Sequence, residues 1–312
     1  MDDEIKGEGN SINYKFRMHD PRVGRFLSLD PLSKSFPWNS PYVFGENRVI
    51  DGIELEGLEY VFASDGKLIG KFGKSPKIKV ASQDDLDQYR NGLLEPHELA
   101  LCTQDINTAS DEVKSNIYTT IYSKEVRRKS DKYKLEGGFV GVGAANDKIP
   151  PAQAYKSAEA QTVIFKESNS AAISVWSSNN NNYWDVASTL NHEHGHAYFE
   201  LDKKERTTAS QYETLVYWHE IDSGIFDKAS ESSQLNTRHK FLQYLSNLAH
   251  DLGSSKQQAR DANLFVKYKT LYEAKFDIEL NVYSGAATFS VYDPTISKRK
   301  KELEEENTNV EN

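Results

Sequence analysis

One short stretch, NHEHGHAYFEL at residues 191–201, limits what this chain can fold into, because it crowds three of the chain's eight histidines into five positions. The surrounding sequence YWDVASTLNHEHGHAYFEL predicts a helix with Asp185 as its N-terminal cap. On this helix His192 and His196 lie one turn apart on one face, with their Cβ atoms about 6 Å apart. His194 lies about 200° round the helix from His192 and therefore points to the opposite side. The apolar residues that support the helix are Val186, Leu190, Ala197 and Leu201.

Two imidazoles four residues apart are a metal-binding pattern, and here they belong to the motif H-E-x-x-H. Both can bind one tetrahedral Zn²⁺ at about 2.0–2.1 Å. Glu193 follows the first ligand about 100° further round the helix, so its carboxylate can act as general base on a water that the zinc activates. The sequence therefore predicts Zn²⁺ as cofactor, His192 and His196 as ligands, and Glu193 as the catalytic residue. The alternative is a solvated helix that carries these histidines by chance.

A catalytic zinc takes three protein ligands and keeps a fourth position open, so a third ligand is needed from further along the chain. We prefer Glu213, which stands early in the next predicted helix, SQYETLVYWHEI; its alternative role is a structural salt bridge. Glu220 could instead accept a hydrogen bond from a ligand imidazole. Tyr217 and His219 are candidate donors to the oxyanion that hydrolysis develops, with packing as the alternative. The full set of candidate third ligands is Glu200, Asp202, Glu205, Glu213, His219 and Glu220.

The spacing of His192, Glu193, His196 and Glu213 resembles that of the zincin metallopeptidases whose third ligand is a glutamate on a following helix. The resemblance covers roughly residues 160–225 and implies an α+β fold with a helical C-terminal half. It also implies that the strand AAISVWSS forms the sheet edge along the cleft, where a peptide substrate adds as an extra strand. The sequence HAYFELDK departs from H-x-x-G-x-x-H, which argues against the metzincin branch.

The N-terminal sequence YKFRMHDPRVGRFLSLDPL, followed by SPYVFGENRVIDGIELEGLE, resembles the end of the RHS repeat-associated core domain. His19 stands where tyrosine is usual, and IDGIELEG replaces the usual I-D-P-x-G, which puts autocleavage at that junction in doubt. The resemblance implies that the chain is the C-terminal part of a polymorphic toxin, with an RHS carrier and a cognate immunity protein as partners. The alternative is a generic β segment rich in Gly and Asp. The matching residues are Arg17, Asp20, Pro21, Gly24, Arg25, Phe26, Asp30 and Pro31.

These patterns predict three parts: an RHS-core remnant of short strands and turns at 1–59, a zincin-like metallopeptidase domain at 60–296 and a charged disordered tail at 297–312. Within the second part, Asp65-Gly66 between two β-prone runs predicts a hairpin. A polar helical stretch follows at about 83–130, and GGFVGVGAANDKIPP breaks it and ends in a loop. The runs QTVIFKES and AAISVWSS predict a second hairpin, and three helical stretches follow between about 208 and 280.

Composition excludes several other classes of protein. The net charge of −9 disfavours a nucleic-acid binder, and hence a nuclease toxin. The single cysteine, Cys102, allows no intramolecular disulfide. The sequence contains no run of about 18 apolar residues, so it predicts no membrane span. The opening residues MDDEIKGEGN lack the features of a signal peptide, so we expect either a cytoplasmic protein or an effector secreted by a route that needs none.

The sequence thus predicts a zinc-dependent peptidase that acts on a protein or peptide substrate as the toxin domain of an RHS-type polymorphic toxin, inside a target cell. Two alternatives stay open. One is a zinc-dependent amidase that uses the same three ligands on another substrate, such as cell wall. The other is a non-catalytic RHS-tip interaction module, whose histidines are surface features or bind a metal structurally.

Overall fold

The chain divides into two compact units, Met1–Gly57 and Leu58–Asn312. In the first unit, three short strands form an antiparallel sheet in the order β1-β2-β3. They are β1 (Ile12–Tyr14), β2 (Arg17–Asp20) and β3 (Arg25–Phe26). The computed structural model describes residues 12–14, 17–20, 25–27, 59–72, 76–127, 133, 135, 138–145, 160–176, 181–203, 208–248, 255–284 and 289–310.

Four of the residues that match the RHS pattern lie in this small sheet. Asp20 of β2 pairs with Arg25 of β3, and His19 pairs with Phe26. The prediction of short strands is confirmed for the described part of this region. The remaining matching residues, Pro21, Gly24, Asp30 and Pro31, lie outside the described residues.

The second unit begins with a four-stranded sheet in the order β5-β4-β6-β7. Strand β4 pairs antiparallel with β5 and parallel with β6. The predicted hairpin at Asp65-Gly66 is confirmed: Gly66 has φ +83°, and Asp65 Oδ1 accepts from the Lys67 amide at 2.9 Å. Glycine suits this turn because side chains rarely adopt positive φ. The strands are β4 (Tyr60–Phe62), β5 (Leu68–Lys71), β6 (Ile78–Val80) and β7 (Gln104–Asp105).

The predicted helical stretch at 83–130 forms three short helices. Serine side chains cap two of them, since Ser82 accepts from the Asp85 amide and Ser110 accepts from the Val113 amide. A π-helical turn, Tyr122–Arg127, extends the last helix. The helices are α1 (Gln83–Arg90), α2 (Pro96–Cys102) and α3 (Asp111–Ile121).

A second sheet has the order β8-β10-β9. Strands β9 and β10 form the predicted antiparallel hairpin, and β10 also pairs parallel with β8. Strand β10 is therefore central, and the expectation that AAISVWSS forms a sheet edge is wrong. The glycine-rich sequence was expected to end the preceding helical stretch and form a loop. It instead forms strand β8, which pairs with the second edge of β10. The strands are β8 (Phe139–Ala145), β9 (Ala160–Phe165) and β10 (Ser170–Trp176).

Helix α4 (Tyr183–Tyr198) is the predicted histidine helix, and a π-helical turn, Phe199–Lys203, follows it. Its cap is Asn182 and not Asp185, because the Asn182 side chain accepts from the amides of Trp184 and Asp185. The Asp185 carboxylate instead accepts from the Ser230 amide at 2.6 Å and from the Ser230 hydroxyl at 2.7 Å. Asp185 thus links the start of α4 to a distant part of the chain.

The C-terminal half is helical, as predicted. The expectation of a disordered tail at 297–312 is wrong for the described residues, because the last helix runs to Val310. Ile296 of that helix is buried, and Leu303 packs against the same core, which gives a charged helix an apolar attachment. The elements are α5 (Ala209–Ile221), α6 (Glu231–Leu248), α7 (Ser255–Phe276), β11 (Asn281–Ser284), β12 (Phe289–Tyr292) and α8 (Pro294–Val310).

Two large apolar cores fill the second unit. One joins the two sheets to α3 and α4, with Phe62, Ile117, Ile173 and Leu190 among its buried members. The other lies among α5 to α8. The structure is thus a mixture of helices and strands, which confirms the α+β class. Within the described residues, no helix is long and apolar enough to cross a membrane.

Candidate metal centre

Helix α4 holds His192 and His196 on one face, as their spacing predicts. The two ring centroids are 5.0 Å apart. The opposite face is buried in the sheet core through Val186 and Leu190, which fixes the rotation of the helix. The two imidazole side chains keep 13% and 18% exposure, so a ligand can reach the pair from solvent.

Three side chains of α4 form a group that could hold a metal ion. The candidate ligand atoms of His192, Glu193 and His196 all lie within 4.8 Å of one another. Imidazole nitrogens and a carboxylate oxygen are ligands that Zn²⁺ takes in proteins. The donor set therefore fits a zinc ion.

Helix α5 brings a further carboxylate to this group. Glu213 Oε2 lies 4.0 Å from His196 Nε2. Two ligands of one tetrahedral zinc ion lie about 3.3 Å apart, so a side-chain movement of under about 1 Å would place both on one ion. Among the candidate third ligands whose side chains the structure describes, Glu213 is the one within 4.0 Å of His196.

The approach of α5 to α4 depends on Gly195. A Cβ atom at this position would lie 3.1 Å from His219 Nδ1 and 3.2 Å from Val216 Cγ1, tighter than ordinary contact. The Tyr212 hydroxyl also donates to the main-chain oxygen of His196 at 2.8 Å. The missing side chain of Gly195 and this hydrogen bond hold the two helices at the distance that brings Glu213 to His196.

Glu220 lies behind the site and orients His192. Its Oε2 is 3.0 Å from His192 Nδ1. Its Oε1 accepts hydrogen bonds from the hydroxyls of Ser188 at 2.8 Å and Thr237 at 3.1 Å. A carboxylate on Nδ1 fixes the ring orientation and leaves Nε2 to bind a metal. Glu220 therefore takes the supporting position that the sequence offered as its alternative to metal ligation.

Glu193 is anchored to strand β9. Its side chain is buried, and its Oε2 accepts a hydrogen bond from Thr162 Oγ1 at 2.6 Å. No sequence pattern points to Thr162, because the contact joins residues 31 positions apart and depends on how β9 packs against α4.

Tyr217 lies beside the candidate metal ligand His192. Its ring centroid is 4.4 Å from that of His192, and it stacks on Tyr244 at 5.6 Å. Burial raises the pKa of Tyr217, and the charges of Glu220 and Glu213 raise it further. The hydroxyl therefore stays protonated at neutral pH and can serve as a hydrogen-bond donor.

The other two histidines of this region lie on the far side of α4. His194 Nδ1 is 2.9 Å from the Tyr122 hydroxyl, and its Nε2 is 2.9 Å from the main-chain oxygen of Tyr133. This position agrees with the prediction that His194 points away from the metal-binding face. His219 is buried against Gly195, with its ring centroid 4.2 Å from that of Tyr133. His219 therefore belongs to the packing between the helices, and does not join His192 and His196.

Of the three candidates nearest to the end of α4, the structure describes the side chain of Glu200 alone. Glu200 forms an ion pair with Lys166 at 3.1 Å. Asp202 lies in the π-helical turn after α4, and Glu205 lies outside the described residues.

Burial and neighbouring charges shift the pKa values of His192 and His196 in opposite directions. Burial lowers the pKa of His196 well below its usual value, and the charge of His192 lowers it further. Burial also acts to lower the pKa of His192, but the hydrogen bond and charge of Glu220 outweigh it and raise the pKa to about 9. At neutral pH, without a metal, His196 is neutral and His192 carries a proton that a metal must displace.

The two carboxyl groups that face the histidines both have pKa values above those of an exposed glutamate. Burial raises the pKa of Glu193, while the charge of His192 and the Thr162 hydrogen bond lower it. Burial likewise raises the pKa of Glu213, and the charge of His192 lowers it. Glu193 is buried and Glu213 half-buried beside these imidazoles. A divalent cation bound among these side chains would favour the charged form of both carboxylates.

Comparison of the chain with protein-family models, with curated proteins and with solved structures found no match.

Proposed function

We propose that residues 60–296 form a zincin-like, zinc-dependent peptidase, and that it is the toxin domain of an RHS-type polymorphic toxin. The observation that supports the enzymatic part is the meeting of His192, His196 and Glu213 from two helices, with Glu193 beside them. Three ligands from separate turns and an adjacent acid are what metal-assisted hydrolysis requires.

Bound Zn²⁺ supplies a Lewis acid that polarises the scissile carbonyl and lowers the pKa of the attacking water. His192, His196 and Glu213 would hold the ion, and Glu220 orients the first of these ligands. Glu193 accepts the proton of the attacking water and passes it to the leaving amine. Tyr217, whose ring centroid lies 4.4 Å from that of His192, would donate a hydrogen bond to the oxyanion.

The toxin assignment rests on the sequence resemblance of the first unit to the end of an RHS core domain. The same resemblance implies that the domain is attached to an RHS carrier, is delivered into a target cell and has a cognate immunity protein. A peptide or protein substrate follows from the zincin-like arrangement. A substrate screen separates this proposal from its alternative. Hydrolysis of cell-wall amides, without cleavage of peptides, would favour an amidase that uses the same residues.

The deciding experiment compares wild-type protein with Glu193→Gln. We expect about one zinc ion per chain in both proteins, and growth inhibition of bacteria only when the wild type is produced. The glutamine variant keeps the size of the side chain and removes the base. Toxicity that survives Glu193→Gln would refute the peptidase mechanism.

The same pair of proteins also tests which carboxylate ligates the metal. Glu193 lies in the compact group with the histidines, whereas Glu213 lies 4.0 Å from His196. If Glu213 is the third ligand, Glu193→Gln keeps its zinc and Glu213→Ala does not. If Glu193 itself is a ligand, the zinc content of the two variants is reversed.

A further inference from the structure

Thr162 lies on β9 with its side chain directed at α4, where its hydroxyl meets Glu193. Its Oγ1 is 2.6 Å from Glu193 Oε2 and 3.0 Å from the main-chain oxygen of the same residue. A hydroxyl has one proton, and the shorter distance and the negative charge favour donation to the carboxylate. We propose that Thr162 is a positioning residue, whose hydroxyl fixes the orientation of the general base; this role rests on the proposed function.

The sheet places Thr162 opposite the helix with little freedom. Thr162 pairs with Ile173, a buried residue of the central strand β10. Because side chains alternate along a strand, Thr162 shares its face with Ala160 and Ile164. Thr162 is thus a polar residue in an apolar row. A valine has nearly the same shape and higher strand propensity, so packing alone does not explain the hydroxyl.

The buried Glu193 carboxylate needs a hydrogen-bond donor, and the Thr162 hydroxyl supplies one. A buried carboxylate without a hydrogen-bond donor is strongly disfavoured. The Thr162 hydroxyl donates to Oε2 of the Glu193 carboxylate, and the main chain of Thr162 also stabilises the charged form. The hydroxyl bond restricts the rotation of the carboxylate and leaves Oε1 as the oxygen that can accept a proton.

The hydrogen bond between Thr162 and Glu193 joins the proposed general base to an edge strand of the sheet. Strand β9 pairs with β10 on one side, and no described strand pairs with its other side. The opposite edge of the sheet, on β8, is instead covered by α3, since the Ser115 hydroxyl accepts from the Ala144 amide at 2.9 Å and the Thr119 hydroxyl donates to the Val142 carbonyl at 3.0 Å.

A second link between β9 and the end of α4 is the exposed ion pair of Lys166 and Glu200 at 3.1 Å. Exposed pairs hold geometry weakly. The part-buried bond of Thr162 is therefore the firmer of the two links between this strand and α4.

The test compares Thr162→Val, Thr162→Ser and the control Thr119→Val, which removes the hydroxyl that α3 donates to the other edge of the same sheet. The substrate is one fluorogenic peptide that the wild type selects from a random library. We expect kcat to fall roughly 10- to 100-fold in Thr162→Val with KM within about twofold, because misplacement of a reacting group acts on the chemical step. Thr162→Ser should restore most of kcat, and Thr119→Val should behave as wild type.

A structural readout separates this role from the activity. Crystal structures of zinc-loaded wild type and Thr162→Val should show the Glu193 carboxylate turned away from β9 in the variant, with zinc bound equally in both. An unchanged carboxylate together with an unchanged kcat would overturn the proposal. Thr162→Ala, with the same expected losses, replaces the valine variant if the latter does not fold.

Failure of the proposed function gives a different result. In that case, zinc-loaded wild type cleaves no peptide of the library, and the kinetic comparison ends there. The crystal structures still decide about Thr162: a displaced carboxylate in Thr162→Val supports the positioning role, and an undisplaced one contradicts it.

Discussion

Glu213 is the proposed third zinc ligand, and it comes from a helix other than that of the two histidines. Removing its carboxylate in Glu213→Ala should lower zinc affinity at least about 100-fold, beyond the usual cost of losing a residue that merely supports a ligand. Competition with a chelator measures this affinity. The matched control is Glu200→Ala, which removes a carboxylate that is paired with Lys166. Equal affinity in wild type and Glu213→Ala would place the third ligand elsewhere.

The proton on His192 predicts how zinc binding depends on pH. Glu220 raises the pKa of His192 to about 9, so below this pH zinc must displace a proton. The apparent affinity should therefore rise with pH, by about tenfold per unit when one proton is displaced, and level off near pH 9. In Glu220→Gln the curve should level off at lower pH, because the charge that raises the pKa is gone. A titration of zinc affinity against pH checks this, and identical curves would contradict it.

Local helix geometry is what made the central residues predictable. His192, Glu193 and His196 follow from spacing on one helix, and Glu220 lies seven residues after Glu213, on nearly the same helix face. Thr162 could not be found in this way, because its contact with Glu193 is created by tertiary packing alone. His219 stands six residues after Glu213 and so lies about 240° further round the helix. In the structure it packs against Gly195.

At the level of elements, the type of each segment was easier to predict than its neighbours. The turn at Asp65-Gly66 and the hairpin of β9 and β10 follow from local sequence. The order of strands does not, because β8 carries Gly141 and Gly143, and glycine has low strand propensity. Parallel pairing with β10 overrides that preference. The cap of α4 was misplaced because the polar run NNNN, read as a loop, contains the better acceptor, Asn182.

The packing of α4 against α5 can be tested at Gly195. In Gly195→Ala the new Cβ would crowd His219 and Val216, and overpacking of this kind costs about 1–3 kcal/mol, against a gain of about 1 kcal/mol in helix propensity. We expect a net loss of stability in urea and a clear fall in zinc affinity, because the displaced α5 carries Glu213. Gly224→Ala is the control, since nothing lies within 4 Å of its added Cβ. Zinc affinity that is the same in both variants would show that the helix distance does not set the site.

At the scale of the whole molecule, the apolar cores and the candidate metal centre belong to one unit. Among the residues whose burial the structure describes, which include little before Glu59, the members of the four core clusters lie at residue 60 or later. The site lies where the two large cores meet, since α4 contributes to the first and α5 to the second. The class of the fold could be read from the sequence because strand-like and helical patterns are spread along the chain. The helical end of the chain could not, because its charge run hides the two apolar anchors, Ile296 and Leu303.

This division predicts that a shortened chain, residues 58–312, folds and binds zinc without the first unit. Its melting temperature should differ from that of the full chain by less than about 2 °C, the shift that a change of roughly 1 kcal/mol would cause. Its zinc affinity should be equal, because His192, His196 and Glu213 and their supporting residues all lie within it. Calorimetry with and without zinc measures both quantities. A shortened chain that unfolds cooperatively at a much lower temperature, or loses zinc while still folded, would mean that residues 1–57 contribute to the site.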